Sequence, residues 1–286
     1  MFTSFGGRGA DTHRLVMAQN GLTDVTMSHS RALAVANPAN APSARFFAGI
    51  GIIPAMRVLD VGCGNGDLSR FIAGLVGPDG EVVAIDRGDA ALEMARAANA
   101  APHAAPIHYG QADLACELSD LGRFDAIVGR RVLMYLPDAA ATLARLTMLA
   151  KPGAIVAFQE HARAGLPAGL GELAVHRQLY DWVWSTVAAE GGDVGLGLRL
   201  VDLMLAAGLT IKDARSEGVL LQPGEPSFLP TLARAMLPRL IESAVVSAED
   251  VGLETLADRL DAERDAVGGT IVWDLAFLVS ARVAGS

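Results

Sequence analysis

The sequence predicts an α/β fold with a mostly parallel sheet, and three observations carry that reading. The run Val58-Leu59-Asp60-Val61 leads into Gly62-Cys63-Gly64-Asn65-Gly66, after which Leu68, Phe71, Ile72 and Leu75 recur at i, i+3, i+4 and i+7. That is a strand, a glycine loop and the apolar face of a helix. Downstream, apolar runs and helical patterns keep alternating as far as Gln159, the rhythm of a parallel sheet joined by crossover helices. Finally, a run such as Val82-Val83-Ala84-Ile85 is apolar at successive positions, as a strand covered on both faces must be.

The elements follow in order. Residues 1–50 read as an N-terminal helical arm, with helices over Asp11–Asn20 and Thr23–Ala36. Asn37-Pro38 and Ala41-Pro42 punctuate the arm, and Ser43 opens a further helix through Arg45, Phe46, Phe47 and Ile50. The core spans residues 51–224 and 268–286. Its first strand is Arg57–Val61, its first helix Asp67–Val76 and its second strand Glu81–Ile85, which ends at Asp86. A helix over Asp89–Asn99, a short strand Ile107–Tyr109 and a strand Phe124–Gly129 come next. Pro137-Asp138 starts a helix with Leu143, Leu146, Thr147 and Ala150 on one face. Lys151-Pro152-Gly153 then turns the chain into the strand Ala154–Gln159, with Glu160 and His161 at its carboxyl end.

Beyond that strand the pattern loosens. Gly169–Ala189 reads as an added helix carrying Tyr180, Trp182 and Trp184, and Gly191–Gly197 as a glycine-rich break. Leu200, Leu203, Met204 and Ala207 repeat at helical spacing before Gly208, a suitable C′ residue. Leu209–Leu221 holds a sixth strand. Residues 225–267 form an inserted helical pair, one stripe being Leu229, Leu232, Ala233 and Met236 and the other Leu253, Leu256, Ala257 and Leu260. Thr270–Val283 closes the chain as a long apolar strand.

The glycine loop is where the sequence speaks of a ligand. Glycine lets a ligand approach bare backbone, and the helix behind it presents free N–H groups. A dinucleotide site wants G-x-G-x-x-G, but Asp67 stands where the third glycine belongs. An acid at a helix start suits the helix dipole and opposes a nearby phosphate. A ligand with a positive charge and no phosphate fits better. Asp86, about 20 residues after the loop, is placed to take ribose hydroxyls.

The D-x-G-x-G-x-G stretch resembles motif I of the class I methyltransferases that use S-adenosylmethionine, and residues 45–160 follow that family's order of motifs. The resemblance implies a Rossmann-like seven-stranded sheet, mostly parallel with an antiparallel last strand. It implies S-adenosylmethionine as cofactor, held by Asp60, Gly62, Cys63, Gly64 and Gly66 and by Asp86 with Arg87. It also implies that Asp113, flanked by Ala112 and Leu114, reads the adenine edge, and that Arg130 meets the methionine part. Asp60 either fixes the loop or takes the cofactor's amine. Asp125, in the family's aromatic–Asp pair, is read as structural. Arg131, Met134, Tyr135, His161, Tyr180 and Trp184 are the expected substrate side, under a lid formed by residues 225–267. The arm of residues 1–50 is either a cover over the site or simple packing on the sheet.

Composition bounds the partners. The net charge of −9 and the lack of any Lys/Arg run argue against nucleic acid and toward a small molecule, partly apolar or aromatic. Two cysteines make no disulfide framework or metal pair, and no His, Cys, Asp and Glu spacing suggests a metal site. Cys116 reads as a small buried filler. The absence of a signal pattern or of an apolar run of the ~18 residues a span needs points to a cytoplasmic protein; a homodimer is compatible. For an oxygen acceptor, His161 is the candidate general base and Glu160 the alternative, which could instead orient an amine. His13 and His29 on the arm are weaker candidates. A protein that binds S-adenosylmethionine without transfer, or a nicotinamide oxidoreductase, are the competing readings.

Overall fold

Strand β1 (Arg57–Val61) lies inside the sheet between two parallel partners, β2 (Glu81–Asp86) and β4 (Phe124–Arg130). The computed structural model describes residues 40–98, 101–116 and 118–285. From β2 the sheet continues to β3 (Ile107–Gln111), and from β4 to β5 (Ala150–His161). The final strand β7 (Ile271–Arg282) runs antiparallel between β5 and the edge strand β6 (Thr210–Leu221). The order β3-β2-β1-β4-β5-β7-β6 is the expected seven-stranded sheet, with only its last strand reversed.

Before β1 comes α1 (Ala41–Gly49); α2 (Asp67–Val76), α3 (Asp89–Ala97) and α4 (Ala139–Met148) lie among the first five strands. Between β5 and β6 come α5 (Ala174–Ala189) and α6 (Leu196–Ala206). Between β6 and β7 come α7 (Leu229–Glu242), α8 (Ala248–Val251) and α9 (Leu253–Val267). Two apolar layers form by strand alternation. Leu59, Ile127, Val156 and Phe158 face the layer shared with α4, α5, α6 and the inserted helices. Val58, Val128, Ile155, Ala157, Ala276 and Leu278 face α1 and α2, where Phe46 and Phe47 are fully buried.

Several boundaries differ from expectation. The turn at Lys151–Gly153 lies inside β5 as an irregularity: Phe124 pairs with Ala150, but Ala126 pairs with Ile155. Gly153 has φ +75, so the strand bulges where the sequence predicts a turn. Ala150 consequently belongs to β5 and not to the helix. The helix expected from Gly169 starts at Ala174, because Ala168 is bridged to Val272 and the glycines at 169 and 171 pack against Val267. The glycine-rich break ends early, with Gly197 already inside α6. Its neighbour constrains it there: a Cβ on Gly197 would lie 2.6 Å from the Phe277 ring. Strand β3 runs two residues past Tyr109, and residues 225–267 hold three helices where the sequence predicts a pair. Cys116 is exposed, not a buried filler. The predicted helices over Asp11–Asn20 and Thr23–Ala36, with His13 and His29, lie outside the described residues.

Gly129 ties the sheet to the site. A Cβ there would lie 2.5 Å from the Phe158 ring and 3.0 Å from Val132. Gly129→Ala is expected to destabilise the fold by about 1–3 kcal/mol, the usual cost of overpacking a tight core. Chemical denaturation would measure it, and an unchanged midpoint would show that Phe158 yields.

Candidate active site

The strand order reverses between β1 and β4, so the crevice at the carboxyl ends of these strands is where an open α/β sheet binds ligand. A cavity of about 1020 Å³ occupies that place. Its walls fall into two regions.

The first region is built by the glycine loop. Gly62, Gly64 and Gly66 have φ of +65, +53 and +77, so the loop turns in a conformation that other residues resist. Asp86 at the end of β2 holds it: Oδ2 accepts the Gly64 N–H at 2.8 Å, and Oδ1 accepts the Gly88 N–H at 2.9 Å. Gly62, Cys63, Gly64 and Asp86 all line the cavity. Burial pushes the Cys63 thiol pKa up, so it stays protonated.

Asp60 lines the same region. Its Oδ2 accepts the Ser69 hydroxyl at 2.6 Å, while its buried Oδ1 has no hydrogen-bond partner. Burial pushes its pKa up to about 7, against the pull of the Ser69 bond and of Arg130. Arg130, at the end of β4, donates to Asn40 Oδ1 at 2.6 Å and stands 4.0 Å from Asp67. Desolvation lowers its pKa to about 10, so it remains a cation.

The second region is apolar and aromatic. Tyr180 and Trp184 come from α5, Phe228, Leu232 and Met236 from the inserted segment, and Trp273 from β7. Tyr180 stands edge-on to Trp273, with ring centroids 5.4 Å apart. Burial pushes its hydroxyl pKa up to about 12. Met134 and Tyr135, on a single 3₁₀ turn after β4, join this wall, as does the exposed Arg131 with φ +55. Arg239 of α7 donates to Glu190 at 2.8 Å and to the Tyr135 hydroxyl at 3.4 Å, which ties the inserted helix to the rim.

Six of the predicted residues stand away from the cavity wall. Glu160 is fully buried on the opposite face of β5 from His161, because neighbouring residues in a strand alternate. There its Oε1 accepts the N–H groups of Val132 at 3.0 Å and Leu133 at 2.8 Å. It is a clamp on the β4 exit loop, and the expectation that it acts as a base or orients an amine is corrected. Asp113 turns its carboxylate onto the Ala115 N–H at 2.9 Å, so it and its neighbours Ala112 and Leu114 close a turn beside the cavity. Arg87 lines a separate cleft with Tyr135, Pro137, Glu190, Gly191 and Arg239. Gly66 also faces away from the cavity: a Cβ there would lie 2.6 Å from the Tyr109 hydroxyl, so it serves close packing. Asp125 pairs with Lys151 and the Arg57 N–H at the opposite strand ends, as its structural reading requires.

The residues that sequence reasoning missed include Asn40, Asp67, Gln159, Arg239, Trp273 and Asp274. Asp274 carried a signal, being the single acid within the apolar run of β7. Among the described residues, no group of three or more His, Cys, Asp or Glu is placed to hold a metal ion.

The seven-stranded sheet, with a glycine loop and an acid-ended β2 around this cavity, has the α/β Rossmann-like architecture. The chain belongs to the methyltransferase domain family, whose model matches residues 52–200. It is similar to the 2-phytyl-1,4-naphtoquinone methyltransferase of Synechococcus elongatus, with 32% identity over 156 residues. That match covers 54% of this chain and 65% of the relative. The ubiquinone biosynthesis O-methyltransferase of Alkalilimnicola ehrlichii is 37% identical over 111 residues, covering 38% of this chain and 43% of that one. The matched span therefore takes in less than two thirds of either relative. In fold, the chain resembles a methyltransferase candidate from Bacillus halodurans with a TM-score of 0.54 at 15% identity, covering 84% of this chain and 98% of that one.

Proposed function

We propose that this protein is an S-adenosylmethionine-dependent methyltransferase acting on a small, partly apolar or aromatic metabolite. The observation that carries the reading is one cavity with two unlike halves, a glycine loop between two carboxylates and an aromatic wall facing it. The first half fits the cofactor on its own chemistry. Asp60 Oδ1 is a buried acceptor without a donor, which a cationic amine would supply. Arg130 is a buried cation suited to a carboxylate, and Asp86 is an ionisable acceptor beside the loop for neutral hydroxyls. Bound there, S-adenosylmethionine supplies a methyl group on a sulfonium.

The protein's contribution is positioning. Holding a nucleophile at near-attack distance can remove ~7–11 kcal/mol of barrier. The aromatic wall orients an apolar body and excludes water, which strengthens every charge contact inside. The segment of residues 225–267 acts as the lid of this half, anchored through Arg239, Glu190 and Tyr135. The names of the two relatives, a 2-phytyl-1,4-naphtoquinone methyltransferase and a ubiquinone biosynthesis O-methyltransferase, agree with an aromatic acceptor. We place the enzyme in the cytoplasm, acting without nucleic acid. No helix among the described residues is long and apolar enough to cross a membrane, and the net charge of −9 disfavours a phosphate backbone.

The test is cofactor turnover. Incubation with S-adenosylmethionine and fractionated metabolite extracts is expected to yield S-adenosylhomocysteine in stoichiometry with a methylated product. Tight binding without turnover across all fractions would favour a non-catalytic binding protein.

A further inference from the structure

The aromatic half of the cavity is built on an irregularity in β7. Val219 of β6 pairs with Asp274 and Leu220 with Val272, which leaves Trp273 as the extra residue of a bulge. A bulge re-aims side chains that would otherwise alternate between the two faces of a sheet. Trp273 and Asp274 are neighbours in sequence, and both line the cavity.

Trp273 meets Tyr180 edge-on, with 5.4 Å between ring centroids and 83° between planes. Trp184 lies 6.0 Å from Tyr180 at 58°. The three rings form a corner, and such steep angles leave free the faces that a stack would cover. All three line the cavity. An aromatic face is the negative side of the ring and attracts a cation. Burial, and after it the charge of Asp274, raises the Tyr180 hydroxyl pKa, so the field of the carboxylate reaches this corner.

That charge is not cancelled within the wall. Asp274 Oδ1 accepts the Leu275 N–H at 2.8 Å, and Oδ2 lies 2.8 Å from His161 Nδ1. The Gln159 amide nitrogen lies 3.2 Å from His161 Nε2. An amide nitrogen only donates, so Nε2 accepts, Nδ1 carries the one ring hydrogen and His161 is neutral. With both ring nitrogens engaged, His161 has no lone pair left to take a hydroxyl proton. Of the neighbouring cations, Arg163 is paired with Asp181 and Arg239 with Glu190. Arg130 and Arg131 stand at the end of β4, and β5 separates that strand from β7.

We propose that this corner is a cation site: Tyr180, Trp184, Trp273 and the Asp274 carboxylate receive an amine acceptor and hold its methylated ammonium product. The proposal rests on the methyltransferase reading above and adds the acceptor atom. The amine reacts as its free base. Its nitrogen lone pair forms a bond to the methyl carbon of S-adenosylmethionine as the C–S bond breaks, and the electron pair of that bond goes to sulfur. The positive charge passes from sulfur to nitrogen, and no base is required during transfer. A tertiary amine ends as a quaternary ammonium; a primary or secondary amine sheds its extra proton to water after release. The rings and the carboxylate stand where that charge develops, which is where electrostatic stabilisation lowers a barrier. A hydroxyl must lose its proton in the transfer and leaves as a neutral ether, for which the corner holds no advantage.

The test compares two ligands of one shape on the full chain. Calorimetry measures (4-hydroxyphenyl)trimethylammonium against 4-tert-butylphenol, its uncharged carbon isostere, with S-adenosylhomocysteine saturating so that the cofactor half is filled. The ammonium is expected to bind at least ~10-fold tighter. Asp274→Asn keeps the shape and removes the charge, and Trp184→Leu removes a ring. Each is expected to lower the ammonium affinity by ~10-fold and to change the isostere less. Retained S-adenosylhomocysteine binding shows that a variant is folded. In a second arm, 4-(dimethylamino)phenol offers a nitrogen and a hydroxyl in one molecule, and chromatography separates the two methylated products. The nitrogen product is expected. Equal or tighter binding of the isostere, ammonium affinity unchanged in both variants, displacement of the ammonium by S-adenosylhomocysteine, methylation at oxygen, or no transfer while cofactor binds would each overturn the proposal. Failure of the wild type to bind S-adenosylhomocysteine or S-adenosylmethionine would instead overturn the reading beneath it.

Discussion

Asp86→Ala is expected to weaken S-adenosylmethionine binding by ten-fold or more. Two effects add. A carboxylate accepting from a ribose hydroxyl makes a charge-assisted bond, worth ~1.5–3 kcal/mol. The same carboxylate holds the Gly64 and Gly88 N–H groups, and through them the shape of the loop. Removing it releases a turn whose glycines stand at φ of +65 and +53. Asp86→Asn retains an acceptor oxygen for one of these N–H groups, so it should lose less. Calorimetric titration of both variants measures the difference. Unchanged affinity in a folded Asp86→Ala protein would remove Asp86 from the site.

Glu160 produces the second large effect, on stability and its pH dependence. Burial pushes its pKa up to about 7, against the N–H groups of Val132 and Leu133 that favour the charge. The folded chain thus keeps this proton to higher pH than the unfolded chain, whose glutamates titrate near ~4.3. As pH rises between these two values, the unfolded state releases its proton first and is favoured. The stability contributed by the protonated form is therefore full below about pH 4 and lost above about pH 7, a change of about 3 kcal/mol. Asp60, also pushed up to about 7 by burial, acts in the same direction. Glu160→Gln removes one titration and keeps an acceptor for the two N–H groups, so its stability should fall less between pH 5 and pH 8 than that of the wild type. Glu160→Ala leaves both buried donors without an acceptor, at ~1–3 kcal/mol each. Denaturant unfolding at the two pH values distinguishes them. A wild type whose stability falls no more than that of Glu160→Gln would show that Glu160 is ionised throughout.

The sheet was legible because each parallel strand announces itself twice, by a continuous apolar run and by the helix pattern that follows. Val58–Val61 and Glu81–Asp86 fall where their runs predict. The glycine loop and Asp86 were legible for a related reason, since spacing along the chain fixes their meeting at adjacent strand ends. Side-chain direction was not legible. Glu160 and His161 are neighbours in sequence, and only the pleat decides that one faces a loop and the other the cavity. Asp113 reads as a ligand contact by position, and one of its carboxylate oxygens, Oδ1, accepts the Ala115 N–H within its own turn. Gln159 and Asp274 were hidden because their partnership crosses from β5 to β7, more than 100 residues apart, as the separation of 113 for His161 and Asp274 records.

The proposed function requires the glycine loop and its two carboxylates to serve a cationic, phosphate-free nucleoside. Parallel calorimetric titrations of the protein with S-adenosylmethionine and with NAD test it most directly. The account predicts saturable one-site binding of S-adenosylmethionine and no heat with NAD, since Asp67 occupies the third-glycine position and opposes a phosphate there. Binding of NAD without binding of S-adenosylmethionine would contradict it.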